Sequence, residues 1–100
     1  MNQAAMMKIK KMQKEMMENQ KRIEETVFTG TSAGIATVQM KGNHEVVDVK
    51  IEADAFESAD DIDMINDAVK AAINDCIKQI DKAQEEAMGG FANMGLGGLF

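Results

Sequence analysis

Two long helix-forming segments enclose a short stretch of strand pattern, and this imbalance restricts the folds that the chain can adopt. Residues 3–25 contain no Gly or Pro and are rich in Met, Gln, Lys and Glu, which favour helix. Apolar residues recur through this segment every three or four positions and predict one amphipathic helix. Its apolar stripe consists of Ala5, Ile9, Met12, Met16, Ile23 and Val27, with Asn19 and Thr26 on the same side.

The second helix-forming segment begins after Ser58 and has the same period. Ser58 followed by Asp61 resembles a capping box, in which Asp replaces the usual Glu. Because Gly commonly follows the last turn of a helix, Gly89-Gly90 predicts the helix end. The apolar stripe consists of Ile62, Ile65, Val69, Ala72, Cys76, Ile80, Ala83 and Ala87.

The residues between the two helices have the composition of a β-sheet. Thr26–Thr29 is β-branched and aromatic and predicts a first strand, whereas Gly30–Gly34 predicts a loop. Residues 35–41 and 44–52 predict two further strands, joined by Gly42-Asn43 in a type II′ turn.

The predicted turn fixes the strand register. A two-residue loop places Lys41 opposite His44, Val38 opposite Val47 and Ala36 opposite Val49. One face of the hairpin then collects Ala36, Val38, Met40, Val47, Val49 and Ile51, and the other face is largely polar. This separation of apolar from polar residues supports an antiparallel hairpin.

The element order predicts an α+β fold, α-β-β-β-α, with a three-stranded antiparallel sheet and two long helices. A helix of about 25 residues is about 37 Å long, whereas strands of seven or eight residues span only about 25 Å. The sheet cannot cover both apolar stripes, so we expect a homodimer to cover the remainder. Residues 1–88 are expected to form this domain, and residues 89–100 a flexible Gly-rich C-terminal tail.

Positive charge is concentrated near the N-terminus, although the net charge of the chain is −6. Within residues 1–22, only Glu15 and Glu18 oppose six basic residues, which we call the basic face: Lys8, Lys10, Lys11, Lys14, Lys21 and Arg22. Such a face can neutralise DNA phosphates, or it can be an ordinary solvated surface. Base-specific reading is not expected, because the chain has no Trp or Tyr and Arg22 is its only arginine.

Other classes of function have little support in the residue pattern. Cys76 is the only cysteine, which excludes a disulfide within the chain and indicates a reducing, cytoplasmic location. It is far in sequence from His44, the only histidine, so no metal site is expected. We predict neither an enzyme nor a cofactor or small-molecule substrate, because no nucleophile with a base and no nucleotide-binding loop is recognisable. No segment approaches the roughly 20 apolar residues that span a bilayer. The apolar side of the first helix also lacks the Trp, Phe or Leu usual in helices that bind a membrane surface, so no membrane partner is expected.

Motifs distributed over the whole chain resemble those of a known protein family. They are the Gly-rich turn, Ile35-Ala36-Thr37-Val38-Gln39-Met40-Lys41-Gly42, Val49-Lys50-Ile51, Met64-Ile65-Asn66-Asp67, Ala71-Ala72-Ile73-Asn74-Asp75 and the C-terminal Gly97-Gly98-Leu99-Phe100. With the Met-, Gln- and Lys-rich first helix, they resemble the YbaB/EbfC family of bacterial nucleoid-associated proteins. Three positions differ from the family pattern: the third strand has Glu45 and Asp48 where relatives often have basic residues, and Ala53 replaces a usual Pro.

The resemblance implies a homodimer shaped like tweezers, with protruding helices, that binds double-stranded DNA in the nucleoid with little sequence preference. A role in nucleoid organisation and gene expression would follow. The alternative hypothesis is a cytoplasmic protein-interaction module with incidental DNA binding. In that case the tail or a Met-rich groove would bind another protein.

Overall fold

A computed structural model describes residues 2–91. The elements are α1 (Gln3–Glu25), β1 (Val27–Ser32), β2 (Ala36–Lys41), β3 (Val46–Ile51) and α2 (Ile62–Phe91), with 3₁₀ turns at Ala53–Ala55 and Ala59–Asp61. The strands form one antiparallel sheet in the order β1-β2-β3. The predicted α+β fold and its α-β-β-β-α order are therefore confirmed.

The first helix has the predicted limits. Asn2 caps its N-terminus, because the Asn2 Oδ1 accepts a hydrogen bond from the Ala5 N–H at 2.8 Å. At the other end, both the N–H and the hydroxyl of Thr26 donate to the Arg22 carbonyl oxygen, at 3.0 and 2.6 Å. These local bonds satisfy helix-end groups that would otherwise lack partners.

β1 is longer than the sequence predicts, and Gly30 belongs to it. The predicted loop begins at Gly30, but the strand continues to Ser32 and Gly30 pairs with Val38. Gly30 is buried beneath α2, where a Cβ atom would overlap the Ala72 carbonyl oxygen and lie 2.8 Å from Cys76 Sγ. This glycine therefore permits close packing of helix on strand and does not mark a loop.

The hairpin between β2 and β3 has a three-residue loop, so the predicted register is wrong. Gly42 does not take the positive φ that a type II′ turn requires, whereas His44 has a φ of 72°. Lys41 therefore pairs with Glu45, to whose carbonyl oxygen it donates its N–H at 2.9 Å. Asn43 supports the turn, because its Oδ1 accepts the Glu45 N–H at 2.9 Å.

A β-bulge introduces a second shift of one residue into the same hairpin. The register changes between Gln39 and Met40, which leaves Val47 as an extra residue on β3. A bulge of this kind bends the strand and cannot be predicted from a strictly alternating pattern.

Beyond the bulge, the two shifts together preserve the predicted apolar face of the hairpin. Val38 lies opposite Val49 instead of Val47, and Ala36 lies opposite Ile51 instead of Val49. A displacement of one residue exchanges the faces of a strand, but a displacement of two restores them. The predicted apolar face is therefore correct for Val49 and Ile51. Between the bulge and the turn it is wrong, because Met40 lies opposite Val46, which the predicted register places on the other face.

α2 begins and ends later than predicted. A 3₁₀ turn, Ala59–Asp61, follows Ser58 and leads into α2 at Ile62. Ser58 and Asp61 form the predicted capping box, in which Asp61 Oδ2 accepts the Ser58 N–H at 3.2 Å. The helix continues through Gly89-Gly90 to Phe91. Gly89 therefore has a helical backbone and not the left-handed conformation that commonly terminates a helix. Residues 92–100, the larger part of the predicted tail, lie outside the described part of the chain.

The core lies between α2 and one face of the sheet. It consists of Ala36, Val38, Met40, Ala68, Ala72, Cys76 and Ile80. α2 packs across β1 and β2 but scarcely touches β3, whose six residues are all exposed. One edge of the apolar face is therefore left uncovered in the single chain.

The molecule is elongated, with extents of 70 × 23 × 14 Å and a radius of gyration of 19.5 Å. A compact domain of 100 residues would have a radius of gyration of about 13 Å. The difference arises because α1 makes few contacts with the sheet and packs instead beside the later turns of the 30-residue α2.

Candidate nucleic-acid interface

The turn between β2 and β3 holds the C-terminal end of α1. The Gly42 N–H donates to the Thr26 carbonyl oxygen at 3.0 Å, and the Asn43 N–H donates to that of Glu24 at 3.3 Å. The absence of a side chain at Gly42 is required here, because a Cβ atom would overlap the Ile23 carbonyl oxygen. The last turn of α1 is therefore fixed at one end of the sheet.

α2 leaves the sheet at this same end. Asp75 Oδ2 accepts the Thr31 N–H at 3.2 Å, and one turn later Gln79 Nε2 donates to the Thr29 carbonyl oxygen at 2.7 Å. As α2 advances it therefore moves toward the beginning of β1, where α1 ends. The later turns of α2 lie beside α1, past the end of the sheet.

The two helices form an antiparallel pair beyond the sheet. A narrow cleft between them is lined by Met16, Gln20, Ile23, Gln84, Ala87 and Met88. The half-buried residues of α1 are Ala5, Met12, Met16, Asn19 and Ile23, which all belong to the predicted stripe. Ile9 is an exception, with 42% of its surface exposed. α1 therefore packs with one side only, and none of its residues is fully buried.

The opposite side of α1 presents the basic face to solvent. All six of its residues are exposed: Lys8, Lys10, Lys11, Lys14, Lys21 and Arg22. Within residues 2–91 the ion pairs are Lys41–Glu45 at 3.8 Å and Lys50–Glu52 at 3.9 Å, and neither involves α1. Cations without an ion pair on an exposed helix can interact with the phosphates of a nucleic acid.

Negative charge is concentrated at the other end of the molecule. Residues 52–63, which we call the acidic segment, contain Glu52, Asp54, Glu57, Asp60, Asp61 and Asp63 and no Lys or Arg. This segment follows Ile51, which pairs with Ala36 at the end of the sheet opposite the β2–β3 turn. Such a concentration of carboxylates disfavours contact of a polyanion with that end of the molecule.

Cys76 is part of the core and not a reactive group. It is buried, and its Sγ donates to the Val38 carbonyl oxygen at 3.3 Å. Burial raises the pKa of the Cys76 thiol, so the thiol remains protonated at neutral pH. Over residues 2–91, no group of three or more His, Cys, Asp or Glu side chains is arranged to hold a metal ion. Neither of the two long helices in that range is apolar enough to cross a membrane.

Comparison with known proteins identifies the family of this chain. Residues 1–96 match the model of the YbaB/EbfC DNA-binding family. The chain is 39% identical over 94 residues to a nucleoid-associated protein of Ligilactobacillus salivarius, covering 92% of this chain and 89% of the relative. It is 40% identical over 87 residues to a nucleoid-associated protein of Oceanobacillus iheyensis, covering 85% and 83%.

A solved structure also has this fold. The crystal structure of the uncharacterized protein HP0035 from Helicobacter pylori matches with a TM-score of 0.66 and 21% sequence identity. The match covers 83% of this chain and 96% of the Helicobacter chain. On the family match and the identities to the bacterial relatives, the chain belongs to the YbaB/EbfC DNA-binding family.

Proposed function

We propose that this chain is a nucleoid-associated protein that binds double-stranded DNA through exposed cations on α1. The observation that most supports this is the exposure of six α1 cations at the end of the molecule away from the acidic segment. Family membership supports it as well, as does the name nucleoid-associated protein that the bacterial relatives bear.

The binding is expected to depend little on DNA sequence. Five of the six cations are lysines, which contact phosphates as point charges. Direct reading of bases favours bidentate Arg contacts, and the chain has only Arg22. Phosphate contacts position a protein on DNA without distinguishing one sequence from another.

A homodimer is the proposed active form. The exposed residues Val46, Val47, Val49 and Ile51 of β3 are between 40 and 49% accessible. Val49 and Ile51 share the sheet face with buried Val38 and Ala36, so they extend the core surface to an uncovered edge. A contiguous apolar surface of this kind is typical of a protein interface. A second copy would cover it and would double the number of basic faces.

The proposal includes no catalytic step, cofactor or small-molecule substrate. The family is a DNA-binding family, and the proposed contacts require only exposed cations and a phosphate backbone. The expected location is the nucleoid within the cytoplasm.

Sedimentation with labelled DNA tests the proposed function. The protein alone should sediment at twice its chain mass of 10.9 kDa. At low salt, the protein should increase the sedimentation of two unrelated labelled duplexes to the same extent. A protein that makes six to ten phosphate contacts loses about a thousandfold or more in affinity between about 50 and about 200 mM salt. The effect of the protein on DNA sedimentation should therefore decrease steeply over that range of salt concentration.

Two results would contradict parts of this proposal separately. A mass near 10.9 kDa at micromolar concentration would exclude the homodimer. Failure of micromolar protein to shift either duplex at low salt would exclude DNA binding and favour the protein-interaction alternative.

A further inference from the structure

The basic face is not uniform along α1, because the acidic residues of this helix lie in its second half. Side chains three or four positions apart are neighbours on a helix surface. Lys8 and Lys10 have no acidic residue at those spacings, whereas Lys11 and Lys14 have one each. The first half of α1 therefore has a positive field that is largely uncompensated.

Lys21 and Arg22 have a different environment. At three or four positions from Lys21 lie Glu18, Glu24 and Glu25, and two of these are also neighbours of Arg22. Between residues 15 and 25, four Glu outnumber the two basic residues. A phosphate that approaches this part of the helix encounters more carboxylates than cations.

Arg22 also has partners within the protein. Its Nη2 donates to the Asn19 Oδ1 at 2.7 Å. It lies in the last turn of α1, where a cation stabilises the negative end of the helix dipole. The Arg22 carbonyl oxygen accepts the hydroxyl of Thr26 at 2.6 Å. Arg22 thus contributes to the end of the helix that the β2–β3 turn holds.

Building on the proposed DNA binding, we infer that α1 is divided into a binding half and an anchoring half. Four residues, which we call the tip lysines, make the phosphate contacts: Lys8, Lys10, Lys11 and Lys14. Lys21 and Arg22 make none, and Arg22 instead stabilises the anchored end of the helix.

The length of the helix separates the two halves. At 1.5 Å per residue, Lys14 lies about 16 Å and Lys8 about 26 Å along the axis from Glu25, where α1 is held. DNA bound by the tip lysines is therefore kept away from the carboxylates of the second half and from the acidic segment. This separation accounts for binding of a polyanion by a chain of net charge −6.

Two double variants that remove the same charge from the same helix test this division. In one, Lys8→Gln is combined with Lys10→Gln; in the other, Lys21→Gln is combined with Arg22→Gln. The log–log dependence of DNA affinity on salt should lose about 0.9 in slope for each phosphate contact removed. We expect the Lys8/Lys10 variant, or tip variant, to have a smaller salt slope and at least about tenfold lower affinity at low salt. The Lys21/Arg22 variant, or anchor variant, should keep the wild-type slope and affinity.

Helix content and melting temperature serve as structural readouts in the same experiment. The anchor variant should melt at a lower temperature, because it loses the Arg22–Asn19 hydrogen bond and a cation at the helix end. Lys8→Arg with Lys10→Arg should restore the wild-type slope, since Arg also binds phosphate.

The possible outcomes distinguish this inference from the proposed function. Equal loss of slope in the tip and anchor variants would overturn the division of α1 but leave DNA binding intact. An unchanged slope in the tip variant would overturn it as well. Absence of DNA binding by the wild-type protein would instead reject the proposed function, and the division of α1 with it.

Discussion

Replacement of Lys10, Lys11 and Lys14 by Glu should abolish DNA binding while the fold and the dimer persist. All three side chains are exposed, so their replacement removes no core contact. In a homodimer the change reverses three charges in each subunit, which turns attraction of phosphates into repulsion. We expect the affinity at low salt to fall by about a thousandfold or more. Fluorescence anisotropy of a labelled duplex would measure the loss, with circular dichroism and sedimentation to verify fold and mass.

A variant of α2 is the matched control for this prediction. Lys70, Lys78 and Lys82 are also exposed, and their replacement by Glu changes the net charge by the same amount. They lie on a helix with a surplus of carboxylates, so we expect a much smaller loss of affinity. Equal loss in both triple variants would mean that net charge governs binding, and the assignment to α1 would be wrong.

Gly30→Ala should strongly destabilise the protein. The new Cβ atom would overlap the Ala72 carbonyl oxygen and lie 2.9 Å from the Cys76 backbone nitrogen. Both atoms belong to the backbone of α2, so the helix as a whole must shift away from the sheet. Such overpacking costs about 3 kcal/mol or more, which corresponds to a fall of at least about 12 °C in melting temperature for a domain of this size. Thermal unfolding by circular dichroism would measure it.

The same substitution at Gly89 provides the comparison. Gly89 is helical, and a Cβ atom there would have no neighbour within 4 Å. Gly89→Ala should therefore raise stability slightly, by about 0.5–1 kcal/mol, because Ala has the higher helix propensity. If Gly30→Ala were as stable as Gly89→Ala, the close contact between β1 and α2 would not exist in solution.

Both helices could be predicted from the sequence because their signals are local. The limits of α1 follow from an uninterrupted run of helix formers. The reciprocal bonds of Ser58 and Asp61 begin the 3₁₀ turn that leads into α2. The end of α2 was predicted wrongly for the same reason. A Gly pair is compatible with either a helix or a left-handed cap, and the sequence around Gly89-Gly90 does not decide between them.

The strand details depended on contacts that no local pattern contains. Gly is typical of loops, but in the folded chain Gly30 lies against Cys76 of α2, which is distant in sequence. The turn type depended on which residue adopts a positive φ, and His44 does so instead of Gly42. The bulge at Val47 likewise depends on the pairing of β3 with β2, which the strand pattern alone does not fix.

The candidate site was predicted only as a charge pattern. The six basic residues were identified from composition, and the half-buried stripe of α1 from its period. The residue pattern could not show where α1 is held on the sheet, because that position results from the contact of Gly42 with Ile23. It also could not show that the acidic segment lies at the opposite end. Both depend on strand pairing and on the direction of α2 across the sheet.

Lysine acetylation of the wild-type protein, with and without DNA, is the most direct test of α1 as the DNA-binding element. Mass spectrometry of the modified peptides reports each lysine separately in the unaltered protein. DNA should protect Lys8, Lys10, Lys11 and Lys14 at low salt, while Lys70, Lys78 and Lys82 on α2 remain as reactive as in the free protein. Protection of the α2 lysines with continued reactivity of the α1 lysines would contradict the account.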